Sequence, residues 1–374
     1  MRLTELVLDR FRNYAALHLT FDAPVTLFVG RNAQGKTNLL EAIHVLAFAR
    51  SHRSARDREL VQWGQEAAGV KGRAEREDGR RVRLEVRLGP KGKTVKVNGV
   101  EKRRLSEYVG HLNAVLFAPE DLSLVKGSPQ HRRRFLDMAI GQVSSAYLHD
   151  LSAYLKTLAQ RNELLKTART AGRAVEPLLS VYDEQLATLA AKLLRKRLAF
   201  VRKLEGWARA IHAAITQETE TLSLRYVSTV SLDAVDVEEE AVRARVQEEL
   251  AQLRPRERER GVTLVGPHRD DLAFFVNGYC VQTFGSQGQQ RTVALALKLA
   301  EIEFIREAVG EAPILLLDDV LSELDASRQL HLLSAIQDRV QTFVTATGVE
   351  GVDHELVRHA ARYRVEQGQI QPEG

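Results

Sequence analysis

The stretch GRNAQGKT, residues 30–37, decides the fold of this 374-residue chain. It follows the apolar run VTLFV and precedes NLLEAIHVLAFAR, in which the apolar residues have helical spacing. A strand, a glycine-rich turn and a helix in this order form the context in which G-x-x-x-x-G-K-[ST] binds phosphate. The loop amides and the first helical turn point partial positive charge at the phosphate oxygens. The stretch therefore predicts a P-loop that binds ATP with Mg²⁺.

Each residue type in this loop has a predicted role. Glycines let the backbone curl, the lysine reaches the β- and γ-phosphates, and the threonine hydroxyl ligates Mg²⁺. We take Lys36 as a catalytic candidate and Thr37 as a metal ligand. The nucleotide-binding candidates of the loop are Gly30, Arg31, Asn32, Ala33, Gln34, Gly35, Lys36, Thr37 and Asn38.

A second strand, PILLLDD at residues 313–319, carries the acidic residues that a P-loop site requires. Its aliphatic residues predict a buried strand, and Asp318 and Asp319 stand at the carboxyl end, where ligands bind in such sheets. We expect Asp318 to hold Mg²⁺ through water. We expect Asp319 to orient or polarise the attacking water.

The stretch TFGSQGQQRT, residues 283–292, opens a helix with unusually polar and flexible residues. Ser286 is suited to an N-cap, Gly288 allows the backbone to approach a ligand closely, and Gln289 adds hydrogen-bond donors. An ordinary cap requires only Ser286. The additional residues therefore predict that the positive end of this helix points at a phosphate.

These strings together resemble the RecF family of recombination-repair proteins, within the ATP-binding cassette superfamily. The resemblance extends nearly from end to end and is carried by FRNY, GRNAQGKTNLLEAI, FAPEDLSLVKGSPQHRRRFLD, GPHRDDL, SQGQQR and LLLDDVLSELD. It implies an α/β fold: an ATP-binding-cassette-type P-loop ATPase head with a mixed β-sheet, plus an inserted helical second domain with a short antiparallel helical arm. We place the head at residues 1–118 and 261–374, and the helical lobe and arm at residues 119–260.

The resemblance also implies a composite site. Two copies face each other head to tail, and the signature residues Ser286, Gly288 and Gln289 of one copy cap the γ-phosphate bound by the other. Further nucleotide-binding candidates are Arg12 and Asn13 of FRNY and Asp325 of SELD. Glu120 of FAPEDL is the expected additional Mg²⁺ ligand and a third catalytic candidate beside Lys36 and Asp319.

Two residues depart from the usual cassette pattern. The acid after the strand is Asp319, where most cassettes have Glu, so the carboxylate lies about one methylene further from the water and slow hydrolysis is expected. The switch position usually holds a His, whereas QTFVTATG offers Thr345 or Thr347. The sequence does not decide between them. Thr347 is included among the nucleotide-binding candidates.

The middle of the chain is predicted to be helical. YLHDLSAYLKTLAQRNELLKTA and VYDEQLATLAAKLLRKRLAFVRKLEGWARAIHAAI each carry an apolar stripe at helical spacing. Gly172 and Pro177 lie between them and predict a return of the chain. Two antiparallel helices are therefore expected. The string GPHRDDL is shared with the family, but its residues predict no definite role.

Charge is distributed unevenly. Residues 1–134 carry 26 Lys and Arg against 15 Asp and Glu, a net charge of +11, and the remainder carries 28 against 34, a net charge of −6. Such a split suggests a polyanion, although a solvated basic surface is an equal alternative. We expect DNA backbone binding with little sequence preference. The DNA-binding candidates are Arg50, Arg53, Arg56, Lys102, Arg103, Arg104, Arg132, Arg133, Arg195, Lys196 and Arg197.

Several other classes of protein fit the sequence poorly. No apolar run approaches the ~20 residues that span a bilayer, and the charged amino-terminus does not resemble a signal peptide. A cytoplasmic protein without a membrane partner is expected. Resemblance to the family implies slow, DNA-stimulated ATP hydrolysis, an ATP-bound homodimer, and help in loading recombinase at gaps in DNA coated by single-strand-binding protein. It also implies RecR as a partner, with RecO in the same pathway. The alternative is the nucleotide-binding subunit of a transport-type cassette system, which the arginine-rich middle disfavours.

Overall fold

A computed structural model describes residues 1–171, 175–231, 238–336, 340–348 and 358–373. The chain divides into two compact units, one made of residues 1–122, 210–220 and 291–374, and the other of residues 123–209 and 221–290. The first division lies near the expected boundary at 118/119. The other main division falls at 290/291 instead of 260/261, because residues 271–276 form a strand that pairs with residues 222–227 in the second unit.

The elements begin with the strands and helices that surround the P-loop. In chain order they are β1 (Arg2–Phe11), β2 (Tyr14–Thr20), β3 (Val25–Val29), α1 (Lys36–Phe48), β4 (Ala68–Glu75), β5 (Arg81–Gly89), β6 (Gly92–Val97), β7 (Val100–Lys102), β8 (Ala114–Phe117), α2 (Leu122–Lys126), α3 (Pro129–Gly141), α4 (Ser145–Ala171) and α5 (Glu176–Ile215). They continue with β9 (Leu222–Val227), α6 (Glu239–Arg260), β10 (Asp271–Val276), β11 (Tyr279–Cys280), α7 (Val281–Phe284), α8 (Gln287–Val309), β12 (Ile314–Asp318), α9 (Ala326–Ile336), β13 (Thr342–Ala346), β14 (Ala361–Glu366) and β15 (Gln369–Glu373).

The sheet that carries the P-loop is six-stranded and mixed, with the order β15-β14-β3-β13-β12-β8. Its strands run parallel except β15, which pairs antiparallel with β14. All five residues of β12 are buried, which agrees with the apolar run in the sequence. The parallel order brings the carboxyl ends of β3, β12 and β13 to one edge. The mixed α/β fold predicted from the sequence is confirmed.

A second six-stranded sheet in the same unit is antiparallel and has the order β2-β1-β4-β5-β6-β7. Its strands show alternating burial, with Leu3, Leu6 and Leu8 of β1 in the core. Strand β1 leads directly into the FRNY string, so this sheet sets the position of those residues.

The second unit contains helices and a small sheet. Tyr147 on α4 contacts Arg197 on α5, and Arg161 on α4 contacts Asp183 on α5, so the two helices run antiparallel as predicted. Of the predicted turn residues, Gly172 lies outside the described residues and Pro177 lies at the start of α5. The three-stranded sheet β11-β10-β9 was not predicted, because β9 lies in residues 119–260, expected to form a helical lobe and arm, whereas β10 and β11 lie in residues assigned to the head.

Among the described residues, no helix combines the length and the apolarity that crossing a bilayer requires.

Candidate nucleotide-binding site

The loop between β3 and α1 borders a cavity of about 370 Å³ in the first unit. Residues of the loop line this cavity, together with Asp319 after β12 and Thr345 in β13. The lining consists of Asn32, Ala33, Gly35, Lys36, Thr37, Asn38, Arg53, Asp319 and Thr345. The structure thus brings the predicted P-loop and the predicted acidic strand together.

The two fixed glycines of the loop are required for different reasons. Gly35 has a φ of 116°, in the left-handed region, and a Cβ there would lie 2.4 Å from Nδ2 of Asn13. At Gly30 a Cβ would lie 2.4 Å from the backbone oxygen of Val365 on β14. Gly35 is therefore needed for the turn itself, whereas Gly30 is needed for the close approach of two strands.

Lys36 is held beneath the loop by backbone oxygens. Its Nζ donates hydrogen bonds to the carbonyl oxygens of Gly30 at 2.6 Å and of Arg31 at 3.0 Å. Burial lowers the pKa of Lys36, and the nearby charges of Asp319 and Asp318 oppose that decrease. An ammonium group is therefore held in the loop where phosphate oxygens would bind.

Asp318 accepts two hydroxyl hydrogen bonds on one carboxylate oxygen. Thr37 Oγ1 lies 3.0 Å and Thr345 Oγ1 lies 2.8 Å from Asp318 Oδ1. Burial raises the pKa of Asp318, and the two threonine hydrogen bonds act in the opposite direction. A threonine hydroxyl beside a desolvated carboxylate is an oxygen donor set that suits Mg²⁺. The predicted metal ligands Thr37 and Asp318 therefore fit the ion.

Glu120, the third predicted metal ligand, lies in the 3-10 turn Pro119–Asp121 that follows β8. Its side chain is exposed, and its charge further raises the pKa of Asp318. The structure thus places Glu120 within electrostatic range of Asp318. Its metal-ligating and catalytic roles stay predictions.

Asp319 has a left-handed backbone conformation that Thr345 supports. Its φ is 54°, which is uncommon for a residue other than glycine. The backbone N–H of Asp319 donates to Thr345 Oγ1 at 2.9 Å, and Ser322 Oγ donates to the backbone oxygen of Asp319 at 2.7 Å. Thr345 therefore connects Asp318 to Asp319 through a single hydroxyl.

Of the two candidates for the switch position, Thr345 lines the cavity, whereas Thr347 is exposed just beyond the end of β13. The hydrogen bonds described above give Thr345 a definite structural role. A contact between Thr347 and nucleotide stays a prediction.

Arg12 was predicted to bind nucleotide, but the structure gives its guanidinium another partner. Nε and Nη2 of Arg12 each donate to the buried carboxylate of Glu41 at 2.8 Å. Burial alone would raise the pKa of Glu41, but hydrogen bonds from Arg12 and Ser51 bring it below its ordinary value. Arg12 thus fixes helix α1 to the end of β1, and nucleotide contact by this residue stays a prediction.

The side chains of Asn13 and Tyr14 donate hydrogen bonds to the backbone of the loop. Asn13 Nδ2 donates to the backbone oxygen of Gln34 at 3.1 Å, and Tyr14 hydroxyl donates to that of Gly35 at 3.0 Å. Asn38 Nδ2 donates to Asn13 Oδ1 at 2.9 Å. Sequence reasoning missed Tyr14, although the FRNY string that contains it was the signal that could have identified it.

Arg53 was predicted to contact DNA, but it lines the P-loop cavity. Its guanidinium donates to Asn38 Oδ1 at 3.4 Å, and its charge lowers the pKa of Asp318. Arg53 is therefore better described as a candidate phosphate contact. Its neighbours in the sequence, Arg50 and Arg56, are exposed.

The signature segment forms a capping box at the start of α8. Gln289 N–H donates to Ser286 Oγ at 3.2 Å, and Ser286 N–H donates to Gln289 Oε1 at 2.9 Å. Gly288 lies in the first turn of the same helix. The predicted N-cap is therefore present, and phosphate contacts by Ser286, Gly288 and Gln289 stay predictions.

Asp325 caps α9 in a similar way. Its Oδ1 accepts a hydrogen bond from the backbone N–H of Arg328 at 2.9 Å, and its carboxylate pairs with the guanidinium of the same residue. The hydrogen bond from the Arg328 backbone and the Arg328 charge lower the pKa of Asp325. Contact with nucleotide in a partner copy stays a prediction.

Two predicted DNA contacts are buried inside the second unit. Arg132 binds the carboxylate of Asp271 through Nε at 2.6 Å and Nη2 at 2.9 Å. Arg197, at 2% exposure, binds Asp137 at 2.7 Å and the backbone oxygen of Pro267 at 2.6 Å. The structure does not support DNA contact at either residue, because their guanidinium groups are saturated and buried.

The other candidates outside the P-loop remain at or near the surface. Arg133 donates to the backbone oxygen of Asp270 at 2.8 Å, Arg195 pairs with Glu239 at 3.2 Å, and Lys196 lies 3.9 Å from Asp150. Arg103 and Arg104 are exposed, and Lys102 is half-buried. DNA binding by these residues stays a prediction.

The GPHRDDL string, residues 266–272, forms a polar network inside the second unit. Asp270 accepts hydrogen bonds from Tyr226 hydroxyl at 2.8 Å and from Thr229 N–H at 2.7 Å, and burial raises its pKa. His268 Nδ1 and Tyr154 hydroxyl are hydrogen-bonded at 2.6 Å, and burial lowers the pKa of His268 to about 4. The string therefore stabilises this unit.

Comparisons with known proteins identify the family of the chain. The chain matches the family model described as RecF/RecN/SMC N terminal domain over residues 2–369. It is 54% identical over 371 residues to the DNA replication and repair protein RecF of Bacillus pumilus, covering 99% of this chain and 100% of the relative. It is 53% identical over 371 residues to the protein of that name from Bacillus subtilis, with the same coverage.

Among solved structures, the chain is similar to the recombination mediator protein RecF with ATP, in the RecFOR pathway. The TM-score is 0.92 at 35% identity, covering 100% of this chain and 97% of that one. An SMC head bound to the C-winged helix domain of ScpA has a TM-score of 0.56 at 16% identity, covering 100% of this chain and 98% of that one, and shows a shared fold. The chain therefore belongs to the RecF family of RecF/RecN/SMC ATPases.

Proposed function

We propose that this protein is an ATP-dependent DNA-binding protein of recombinational repair. ATP with Mg²⁺ drives two copies together head to tail on DNA, and slow hydrolysis separates them. The observation that carries the proposal is the cavity lined by Lys36, Thr37, Asp319 and Thr345, in which the hydroxyls of both threonines donate to the carboxylate of Asp318. Full-length similarity to proteins named for DNA replication and repair supports the assignment.

Each residue of the cavity has a defined task in this proposal. Lys36 neutralises the β- and γ-phosphates from its position in the loop, and Arg53, which also lines the cavity, adds positive charge. Thr37 and Asp318 hold Mg²⁺, which when bound neutralises charge that develops on the phosphate oxygens. Asp319 orients the attacking water, and the short reach of its carboxylate makes hydrolysis slow.

Pairing of two copies follows from the capped start of α8. The helix dipole places partial positive charge at the amino-terminal end of this 23-residue helix, which begins at the capping box. We propose that this end binds the γ-phosphate held by a second copy, with Asp325 of the same copy beside it. ATP then links the two copies, and its hydrolysis removes the γ-phosphate charge that the start of α8 in each copy binds.

DNA, RecR and RecO are the proposed partners. Residues 1–134 carry an excess of positive charge that can bind the phosphate backbone of DNA. Such binding should be weakened by salt and little affected by base sequence. The RecF–ATP relative is described as a recombination mediator of the RecFOR pathway. We extend that role to this protein: DNA stimulates its hydrolysis, and it helps to load recombinase at gaps in the cytoplasm.

The test is a binding titration by fluorescence anisotropy with duplex, single-stranded and gapped DNA, each with ATP, with ADP and without nucleotide. Light scattering on the same samples gives the mass of the particle. We expect tight DNA binding and a doubled mass only with ATP. Equal binding in all three nucleotide states, at the mass of one copy, would contradict the proposal.

Two variants separate nucleotide binding from pairing. Lys36→Met removes the ammonium group from the loop and should abolish ATP binding. Ser286→Arg, at the capped start of α8, should bind ATP normally and fail to pair or hydrolyse it. Normal hydrolysis by Ser286→Arg would show that the site is not shared between copies.

A further inference from the structure

Trp63 is the most exposed of the large apolar side chains in the described part of the chain, at 97%. Single exposed apolar residues are common on protein surfaces. An indole is the largest of them, and tryptophan is enriched where proteins bind partners. Its surroundings therefore decide whether this exposure has a function.

The loop that carries Trp63 is held in place by backbone hydrogen bonds to the end of β1. Arg12 N–H donates to Leu60 oxygen at 2.8 Å, and Gln62 N–H donates to Arg10 oxygen at 2.8 Å. The Leu60 side chain is completely buried. The indole is thus presented by a fixed backbone, so that binding would cost little loop ordering.

The segment that leads into this loop is rich in arginine. Residues 50–58 carry Arg50, Arg53, Arg56 and Arg58, and the Arg10 side chain on β1 is 53% exposed. The loop also contains acids, of which Asp57 is bound by Lys93 at 3.0 Å. Because Arg53 lines the P-loop cavity, one continuous segment connects the nucleotide site to Trp63.

We propose that Trp63 stacks on an unpaired nucleobase of DNA while the neighbouring arginines contact the adjoining phosphates. This inference rests on the proposed DNA-binding function and adds a source of structural selectivity to it. Aromatic rings beside a basic surface are the arrangement that binds single-stranded nucleic acid, because every base has a face on which a ring can stack. In a continuous duplex the bases already stack on one another, so only a gap, an end or a single strand offers a face to Trp63.

Tryptophan fluorescence tests the contact directly. The chain has two tryptophans, and Trp207→Phe leaves Trp63 as the sole reporter. With ATP present, gapped DNA and single-stranded DNA should quench its emission, whereas a relaxed, covalently closed circular duplex should not. Equal quenching by all three substrates would overturn the proposal.

Affinity measurements separate this contact from the general function. Trp63→Ala should weaken binding to gapped DNA by about 5- to 150-fold, the range for loss of one stacked base. Binding to the closed circular duplex, ATP binding and the melting temperature should not change. The salt dependence should keep its slope, because no charge is removed. Trp63→Phe should retain most of the affinity.

The two possible failures are distinguishable. If the unaltered protein binds none of the DNA substrates with ATP, the proposed function fails. If the unaltered protein binds gapped DNA and Trp63→Ala binds it equally well, only the stacking proposal is overturned, and the indole would then belong to a protein contact.

Discussion

Replacement of Thr345 by Val removes the one hydroxyl that joins the two acids of the site. Thr345 is almost completely buried, at 1% exposure, and its Oγ1 both donates to Asp318 Oδ1 at 2.8 Å and accepts from Asp319 N–H at 2.9 Å. Valine has nearly the same shape, so the change tests the hydroxyl and not the packing. We expect Thr345→Val to lower both the free energy of unfolding and the rate of ATP hydrolysis.

The expected loss of stability follows from the two hydrogen bonds. A hydrogen bond to a charged group contributes about 1.5–3 kcal/mol, and a buried N–H left without an acceptor costs about 1–3 kcal/mol. Partial relaxation of the site reduces their sum, so we expect the free energy of unfolding to fall by about 2–4 kcal/mol. For a unit of this size the melting temperature should fall by roughly 5–15 °C.

The loss of hydrolysis should depend on pH. The Thr345 hydrogen bond lowers the pKa of Asp318, so its removal should raise that pKa further above the ordinary value of aspartate. Mg²⁺ requires the deprotonated carboxylate. The variant should therefore need more Mg²⁺ at neutral pH than the unaltered protein, and this difference should shrink as the pH rises.

The assays are urea unfolding without nucleotide and steady-state ATP hydrolysis at increasing Mg²⁺ at two pH values. Thr347→Val is the matched control, since Thr347 is exposed two residues further along and should leave stability unchanged. An unchanged urea midpoint together with normal hydrolysis in Thr345→Val would refute the role given to this hydroxyl. If only Thr347→Val loses hydrolysis, Thr347 is the switch residue.

Four further predictions concern other parts of the chain. Burial raises the pKa of Asp121 to about 6, so the stability that its protonated carboxyl contributes is complete below the unfolded value near 4 and is lost as the pH rises through 6. In urea unfolding, Asp121→Asn should therefore be about 1–3 kcal/mol more stable than the unaltered protein at pH 8 and almost equally stable near pH 4. An equal gain at both pH values would contradict this. Arg197→Ala should lose about 3 kcal/mol of unfolding free energy because it leaves Asp137 without its ion pair, whereas the matched exposed variant Arg195→Ala should change it by less than about 1 kcal/mol. Gly35→Ala adds a Cβ at 2.4 Å from Asn13 and should weaken ATP binding in calorimetry at least ~10-fold, with a strain cost of about 1–3 kcal/mol. Asp319→Asn should bind ATP and remain paired on DNA, and rapid release in ATP would remove Asp319 from hydrolysis.

Much of the site could be predicted because its main parts are local. The P-loop is one turn between one strand and one helix, and Asp318 and Asp319 end a single apolar strand. Parallel pairing then brings the carboxyl ends of those strands to one edge, which is a general property of such sheets. No knowledge of the remaining chain was needed for these residues.

The DNA contacts that the structure does not support are buried arginines, whose partners lie far away in sequence. HRRR and LRKR are typical of solvated basic clusters, yet Arg132 binds Asp271, 139 residues away, and Arg197 binds Asp137, 60 residues away. Arg53 and Arg56 are three residues apart in an irregular loop, where no periodicity indicates which side chain turns toward the cavity. The pairing of β9 with β10 is also long-range, so the small sheet left no local signal.

The backbone at Asp319 offers a physical reason for the departure from the usual cassette acid. A φ of 54° lies in the left-handed region, which aspartate and asparagine tolerate several-fold better than most other residues. Glutamate at this position would extend the carboxylate toward the attacking water but would give up that local tolerance. The hydrogen bond from Asp319 N–H to Thr345 holds the backbone in this conformation. The backbone conformation at this position therefore favours the shorter acidic side chain, and the slow hydrolysis that we propose has its physical basis there.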